Sequence, residues 1–149
     1  MKIDEVLRHK GNRIVSVRID ATVEEAARVL RKENVGAVIV KDVCRSEGDT
    51  VVGMFSERDV VRTLVDEGMA GLRKPVWNLM SKSVISCSPQ DEIEHALELM
   101  DRHHIRHLPV FEHSSLIGVV SIRDLSWLAS RVGTQPPQMH QFSDHSPSH

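Results

Sequence analysis

The stretch Val51-Val52-Gly53-Met54-Phe55-Ser56-Glu57-Arg58-Asp59 returns sixty-five positions later as Leu116-Ile117-Gly118-Val119-Val120-Ser121-Ile122-Arg123-Asp124. Each copy is a short apolar run closed by Ser-x-Arg-Asp. An apolar run of that length reads as a buried strand. A serine followed by a carboxylate three residues on reads as the start of a helix.

Upstream the correspondence continues at a shift of seventy. Val15 and Val17 fall on Ile85 and Cys87. Val23, Ala26, Ala27 and Leu30 fall on Ile93, Ala96, Leu97 and Met100. Val35, Val38 and Val40 fall on Ile105, Leu108 and Val110. The five-residue difference between the two shifts is one insertion: residues 41–50 of the first copy replace the shorter 111–115 of the second. An insertion at that place predicts a longer hairpin loop, where added length costs little.

Each copy reads strand, helix, strand, strand, helix. The first strands are predicted at Ile14–Val17 and Val84–Cys87. The first helices carry apolar residues at i, i+3, i+4 and i+7, which places them on one face, and Thr22 with Glu25 predicts a capping box. Strands follow at Ala37–Lys41 and Val51–Phe55, and at Leu108–Phe111 and Leu116–Val120. The closing helices begin at Ser56 and Ser121. A unit of about 50 residues buries only a marginal core, so two units packed sheet to sheet, related by a pseudo-two-fold axis, are expected. Residues 4–10 predict a leading helix, and Pro75–Met80 a short ordered one.

Composition bounds the rest. The 149 residues are 40% hydrophobic and 27% charged, with 3% aromatic, so aliphatic side chains must build the core. Nineteen basic against twenty-one acidic residues give a net charge of −2 with no basic block, which argues against a nucleic-acid partner. No apolar run approaches the ~20 residues of a membrane span. The N-terminus lacks a signal-peptide core, and Cys44 and Cys87 form no metal-binding pattern, so a cytoplasmic protein with free thiols is expected. His103, His104 and His107 cluster without a diagnostic metal spacing. Trp77 and Trp127 suit packing or an interface between protomers. The tail, 132–149, is polar and predicted to be disordered.

The duplicated Gly-x-x-Ser-x-Arg-Asp, with Ile105-Arg106-His107-Leu108-Pro109-Val110, resembles the cystathionine-β-synthase (CBS) domain pair, or Bateman module. The resemblance runs from about residue 1 to 131. It implies an α/β (α+β) fold of two β-α-β-β-α motifs: 1–68 with the leading helix, 69–82 connecting, and 83–131. It also implies clefts between the copies that take an adenosyl ligand: AMP, ADP, ATP, NAD(H) or S-adenosylmethionine. Homodimerisation into a disc is implied as well.

On that resemblance, Ser56, Asp59, Ser121 and Asp124 would hold ribose and phosphate. A carboxylate can accept both hydroxyls of a diol. A helix N-terminus suits phosphate. The same Ser-x-x-Asp spacing caps helices, and the two roles can coexist. Arg58, Arg123, Arg106 and His107 would meet phosphate. The first copy has Gly36 and Ala37 where the second has Arg106 and His107, so the second is expected to take the more highly charged group. Val17, Val38, Cys87 and Leu108 are the expected adenine wall. No catalytic residue, required cofactor or metal site is expected. The function expected is regulation: nucleotide binding relayed to another, unidentified protein. The alternatives are a dimerisation scaffold with empty clefts and a nucleotide-hydrolysing enzyme.

Overall fold

The computed structural model describes residues 1–11, 13–44, 48–82 and 84–131; the tail expected at 132–149 lies outside them. The chain forms helices around two small sheets. The order is α1 (Ile3–Lys10), β1 (Ser16–Arg18), α2 (Val23–Glu33), β2 (Ala37–Cys44), β3 (Gly48–Ser56), α3 (Glu57–Glu67), 3-10 turns at Gly68–Arg73 and Val76–Asn78, α4 (Ile93–His103), β4 (His107–Glu112), β5 (Ser115–Ser121) and α5 (Ile122–Arg131). Two compact units result: Ile14–Val84, and Met1–Arg13 together with the chain from Ile85 on.

In the first unit β1 runs parallel to β2, and β2 antiparallel to β3. The predicted capping box opens α2. The Thr22 N–H donates to Glu25 Oε1 at 2.8 Å and the Glu25 N–H to Thr22 Oγ1 at 3.1 Å. The apolar face of α2 (Val23, Ala26, Leu30) then packs on Val38, Val40 and Phe55 of the sheet, with Val76 beside them. In the second unit the face of α4 (Ile93, Ala96, Leu97, Met100) covers Leu108, Val110 and Val120, flanked by Leu125 and Leu128 of α5.

The duplication is visible in irregularities as well as in regular structure. Both hairpins carry a register shift at the same point, after Val40 and after Val110. Both main helices end on a left-handed residue, Asn34 (φ 57°) and His104 (φ 55°). Most of the insertion expected to form a longer loop is strand, and residues 45–47 between the strands lie outside the described residues. Lys41, Asp42, Val43 and Cys44 pair with Val51, Thr50, Asp49 and Gly48, so the extra residues extend the ladder. The second hairpin instead closes between Glu112 and Ser115, with His113 (φ 51°) and Ser114 (φ 68°) both left-handed, as a tight two-residue turn of primed type requires.

The strand expected at Val84–Cys87 shrinks to one parallel bridge, Cys87 with Val110. In the first unit the equivalent ladder is extended by Ile39 N–H to Val15 O at 2.9 Å and Ile19 N–H to Lys41 O at 2.8 Å. Seventy residues on, both donors are prolines, Pro109 and Pro89. Proline has no N–H, so only the bonds through Cys87 remain, at 3.0 and 2.9 Å.

The leading helix and the connecting segment also differ from their expected places. α1 joins the second repeat: Ile3 N–H donates to Asp91 O and Ile93 N–H to Met1 O. Ile3, Val6 and Leu7 are buried in that core. Burial contributes about 1.5–3 kcal/mol per aliphatic side chain, which an eight-residue helix, marginal in isolation, requires. The first repeat has the same arrangement with different chain. Val23 N–H donates to Lys74 O, Val76 N–H to Ala21 O, and Val76 is buried as Ile3 is. Each repeat is therefore completed by the segment that precedes the other.

Candidate functional site

In the second repeat, β5 hands over to α5 at Ser121, directly opposite His107 at the start of β4. The Arg106 carbonyl accepts the Ile122 N–H at 2.8 Å, tying the β4 entry to the first turn of α5. Ser121 and Asp124 bond reciprocally. The Ser121 N–H donates to Asp124 Oδ2 at 2.9 Å, and the Asp124 N–H to Ser121 Oγ at 3.1 Å. Asp124 Oδ2 also takes an ion pair from Lys10 Nζ at 3.1 Å, and Lys10 donates to Val119 O at 2.7 Å. Asp124 Oδ1 has no hydrogen-bond partner among the described residues.

His107 is half-buried among these groups. Burial, which disfavours the charged imidazolium, drives its pKa down to about 4. Asp124 opposes that shift, while Lys10, Arg106 and Arg123 add to it. The imidazole is thus neutral at physiological pH. Arg106 and Arg123 are exposed. Three cations, Lys10, Arg106 and Arg123, accompany one carboxylate.

The first repeat holds the same frame with different charge. The Gly36 carbonyl accepts the Glu57 N–H at 3.0 Å, and Ala37 stands opposite Ser56. The Ser56 N–H donates to Asp59 Oδ2 at 2.9 Å, and Ser56 Oγ lies 3.2 Å from the same oxygen. The second carboxylate oxygen of Asp59 is taken by Arg62 of its own helix at 3.3 Å. Glu57 occupies the place of Ile122, so here two cations, Arg58 and Arg62, meet two carboxylates.

Both Ser-x-x-Asp motifs are therefore helix caps. Capping spends one carboxylate oxygen and leaves the other for a different partner: Arg62 in the first repeat, none among the described residues in the second. The structure gathers Arg106, His107, Ser121, Arg123 and Asp124 at one site, and Ser56, Arg58 and Asp59 at its counterpart. The adenine wall fares differently. Val38 and Leu108 are 1% and 0% exposed within their cores, beneath α2 and α4, and offer no surface to a ligand. Cys87 is 6% exposed, and burial followed by the Asp91 charge raises its pKa to about 12. Only Val17 keeps partial exposure.

Sequence reasoning missed Lys10 and Arg62. Arg62 was available from helical spacing, one turn beyond Asp59. Lys10 carries no such signal, because α1 reaches Asp124 only through the fold. Among the described residues no group of three or more His, Cys, Asp or Glu side chains could hold a metal ion.

A family model described as the CBS domain matches residues 4–66 and again 76–129. The CBS domain-containing protein YhcV of Bacillus subtilis (strain 168) is 33% identical over 113 residues, 76% of each chain. The crystal structure of the CBS-domain containing protein ATU1752 from Agrobacterium tumefaciens superposes with a TM-score of 0.80 at 33% identity, covering 88% of this chain and 99% of that one. The CBS domain protein PAE2072 from Pyrobaculum aerophilum, solved in complex with AMP, gives a TM-score of 0.71 at 32% identity over 83% and 89% of the two chains.

Proposed function

Because the chain belongs to the CBS domain family, matched over both of its repeats, we propose that it is a non-catalytic regulatory module that binds an adenine nucleotide at its Ser-x-x-Asp sites. The observation that carries this reading is Asp124: a carboxylate fixed by its cap, with one oxygen open, beside Arg106, Arg123 and Lys10. The open oxygen suits a ribose hydroxyl, and the guanidinium groups suit phosphate. AMP in the structure of a relative 32% identical to this chain supports the same ligand class. AMP, ADP, ATP and NAD(H) all fit that chemistry, as does the adenosyl part of S-adenosylmethionine. The greater positive charge of the second repeat favours phosphorylated ligands there. Occupancy would shift the population of conformations read by a protein partner.

Homodimerisation is part of this reading. Val61 (59% exposed), Val65 (79%) and Met69 (74%) recur every fourth residue along α3 and the turn after it, an apolar stripe suited to a second copy. The same stripe favours the second reading, a dimerisation scaffold that binds no nucleotide.

Thermal shift with AMP, ADP, ATP, NAD(H) and S-adenosylmethionine separates the two. A binding module rises in Tm with ligand concentration by mass action. No shift with any of the five, backed by calorimetry without heat, leaves only the scaffold. Turnover of ATP or NAD would contradict the non-catalytic part.

A further inference from the structure

Among the described residues, Lys10 is the one charged group at the second Ser-x-x-Asp site that comes from outside its repeat. It ends α1, and α1 is anchored by three buried apolar residues and by backbone bonds to 89–93. Gly11 follows in a conformation (φ 85°) that ends the helix there. The ammonium is held twice, by Val119 O at 2.7 Å and Asp124 Oδ2 at 3.1 Å. Its side chain is 27% exposed and that of Asp124 26%, so the pair is partly withdrawn from water and less screened than a surface pair. An ammonium has three donors, and two are allocated.

Among the described residues the first repeat shows no counterpart. Arg62, the partner of Asp59, comes from α3 itself and is 66% exposed. Without Lys10, the Asp124 carboxylate, with only the exposed Arg106 and Arg123 nearby, would repel a phosphorylated ligand more strongly while still accepting its sugar. A fixed ammonium on the capped oxygen, Oδ2, offsets that repulsion and leaves Oδ1 free to accept a hydroxyl.

From this geometry we propose that Lys10 is a specificity-determining residue. By neutralising Asp124 and offering its third donor, it makes the second-repeat site select phosphorylated adenosyl compounds over uncharged ones. The proposal rests on the nucleotide-binding reading above and adds to it a residue and a direction of selectivity.

The test is calorimetry on the full chain with ADP and with adenosine, for the native protein, Lys10→Met and Lys10→Arg. The second-repeat event is identified as the one that Asp124→Asn abolishes. Lys10→Met is expected to weaken ADP there about tenfold, the size of one charge-assisted hydrogen bond. Adenosine should hold within about twofold or tighten, and Lys10→Arg should keep ADP within about threefold, because the charge is retained. Unchanged ADP affinity in Lys10→Met overturns the assignment. So does a parallel loss of ADP and adenosine, which a merely structural role of α1 would produce. So too does any event that Asp124→Asn leaves intact when it is the only one present. A native protein that binds neither compound overturns the nucleotide-binding reading itself, and the Lys10 assignment with it.

Discussion

Gly53 lies against the backbone of Ser81: a methyl group at position 53 would stand 2.5 Å from the Ser81 carbonyl oxygen and 2.8 Å from Met80 Sδ. The two segments meet there because Met54 and Ser81 exchange backbone hydrogen bonds, at 3.3 and 3.2 Å. Gly53→Ala must push Ser81 away and break that bridge. A loss of about 1–3 kcal/mol is expected, the range for overpacking a tight site, read as a lower urea midpoint. An unchanged midpoint would show that the segment after Val76 yields freely.

Arg106 and His107 distinguish the second repeat from the Gly36 and Ala37 of the first. Replacing both with Ala should weaken ADP or ATP about tenfold or more and reduce the salt dependence of binding, since a guanidinium–phosphate contact is lost. Titration at two ionic strengths checks both. Affinity equal to that of the native protein would remove these residues from the site.

His107 gives a pH dependence of known sign. Its folded pKa of about 4 lies below the ordinary 6.5, so the unfolded chain takes up the proton first as pH falls. The stabilisation from the neutral imidazole is complete above about pH 6.5 and is lost progressively toward pH 4. Thermal unfolding of the native protein and of His107→Gln, followed from pH 7.5 to 4.5, should show the steeper fall in Tm for the native protein. Parallel curves would mean that the imidazole is solvated.

Val65→Glu, at a residue 79% exposed on α3, should leave Tm at low concentration nearly unchanged, as exposed substitutions do. If the α3 stripe carries the proposed dimer, sedimentation should shift from dimer to monomer, because a charge is buried without a partner. An oligomeric state indifferent to this change moves the interface elsewhere.

The repeat was legible because it is written in apolar spacing, which packing cannot disguise. Val23, Ala26 and Leu30 match Ile93, Ala96 and Met100 in sequence and in core position alike. The capping serines were legible because a cap is local chemistry. The short second strand could have been foreseen, since Pro89 and Pro109 sit where its neighbours need N–H donors. The adenine wall was misjudged at Val38 and Leu108 because an apolar residue at a strand start reads alike whether a helix or a ligand covers it. Lys10 was not legible at all: its partner lies 114 residues away, and only the docking of α1 brings them together.

That exchange of leading segments sets an order for biosynthesis. Residues 14–84 hold every piece of the first unit in one contiguous run, so it can be finished while the ribosome is still working. The other unit owns both the earliest and the latest of the described residues. Ile3, Val6 and Leu7 meet their first partners only when 89–103 emerge, and their full cover only with the strands and helix of 107–131. The apolar face of α1 is then among the first surface to be made and among the last to be fully covered.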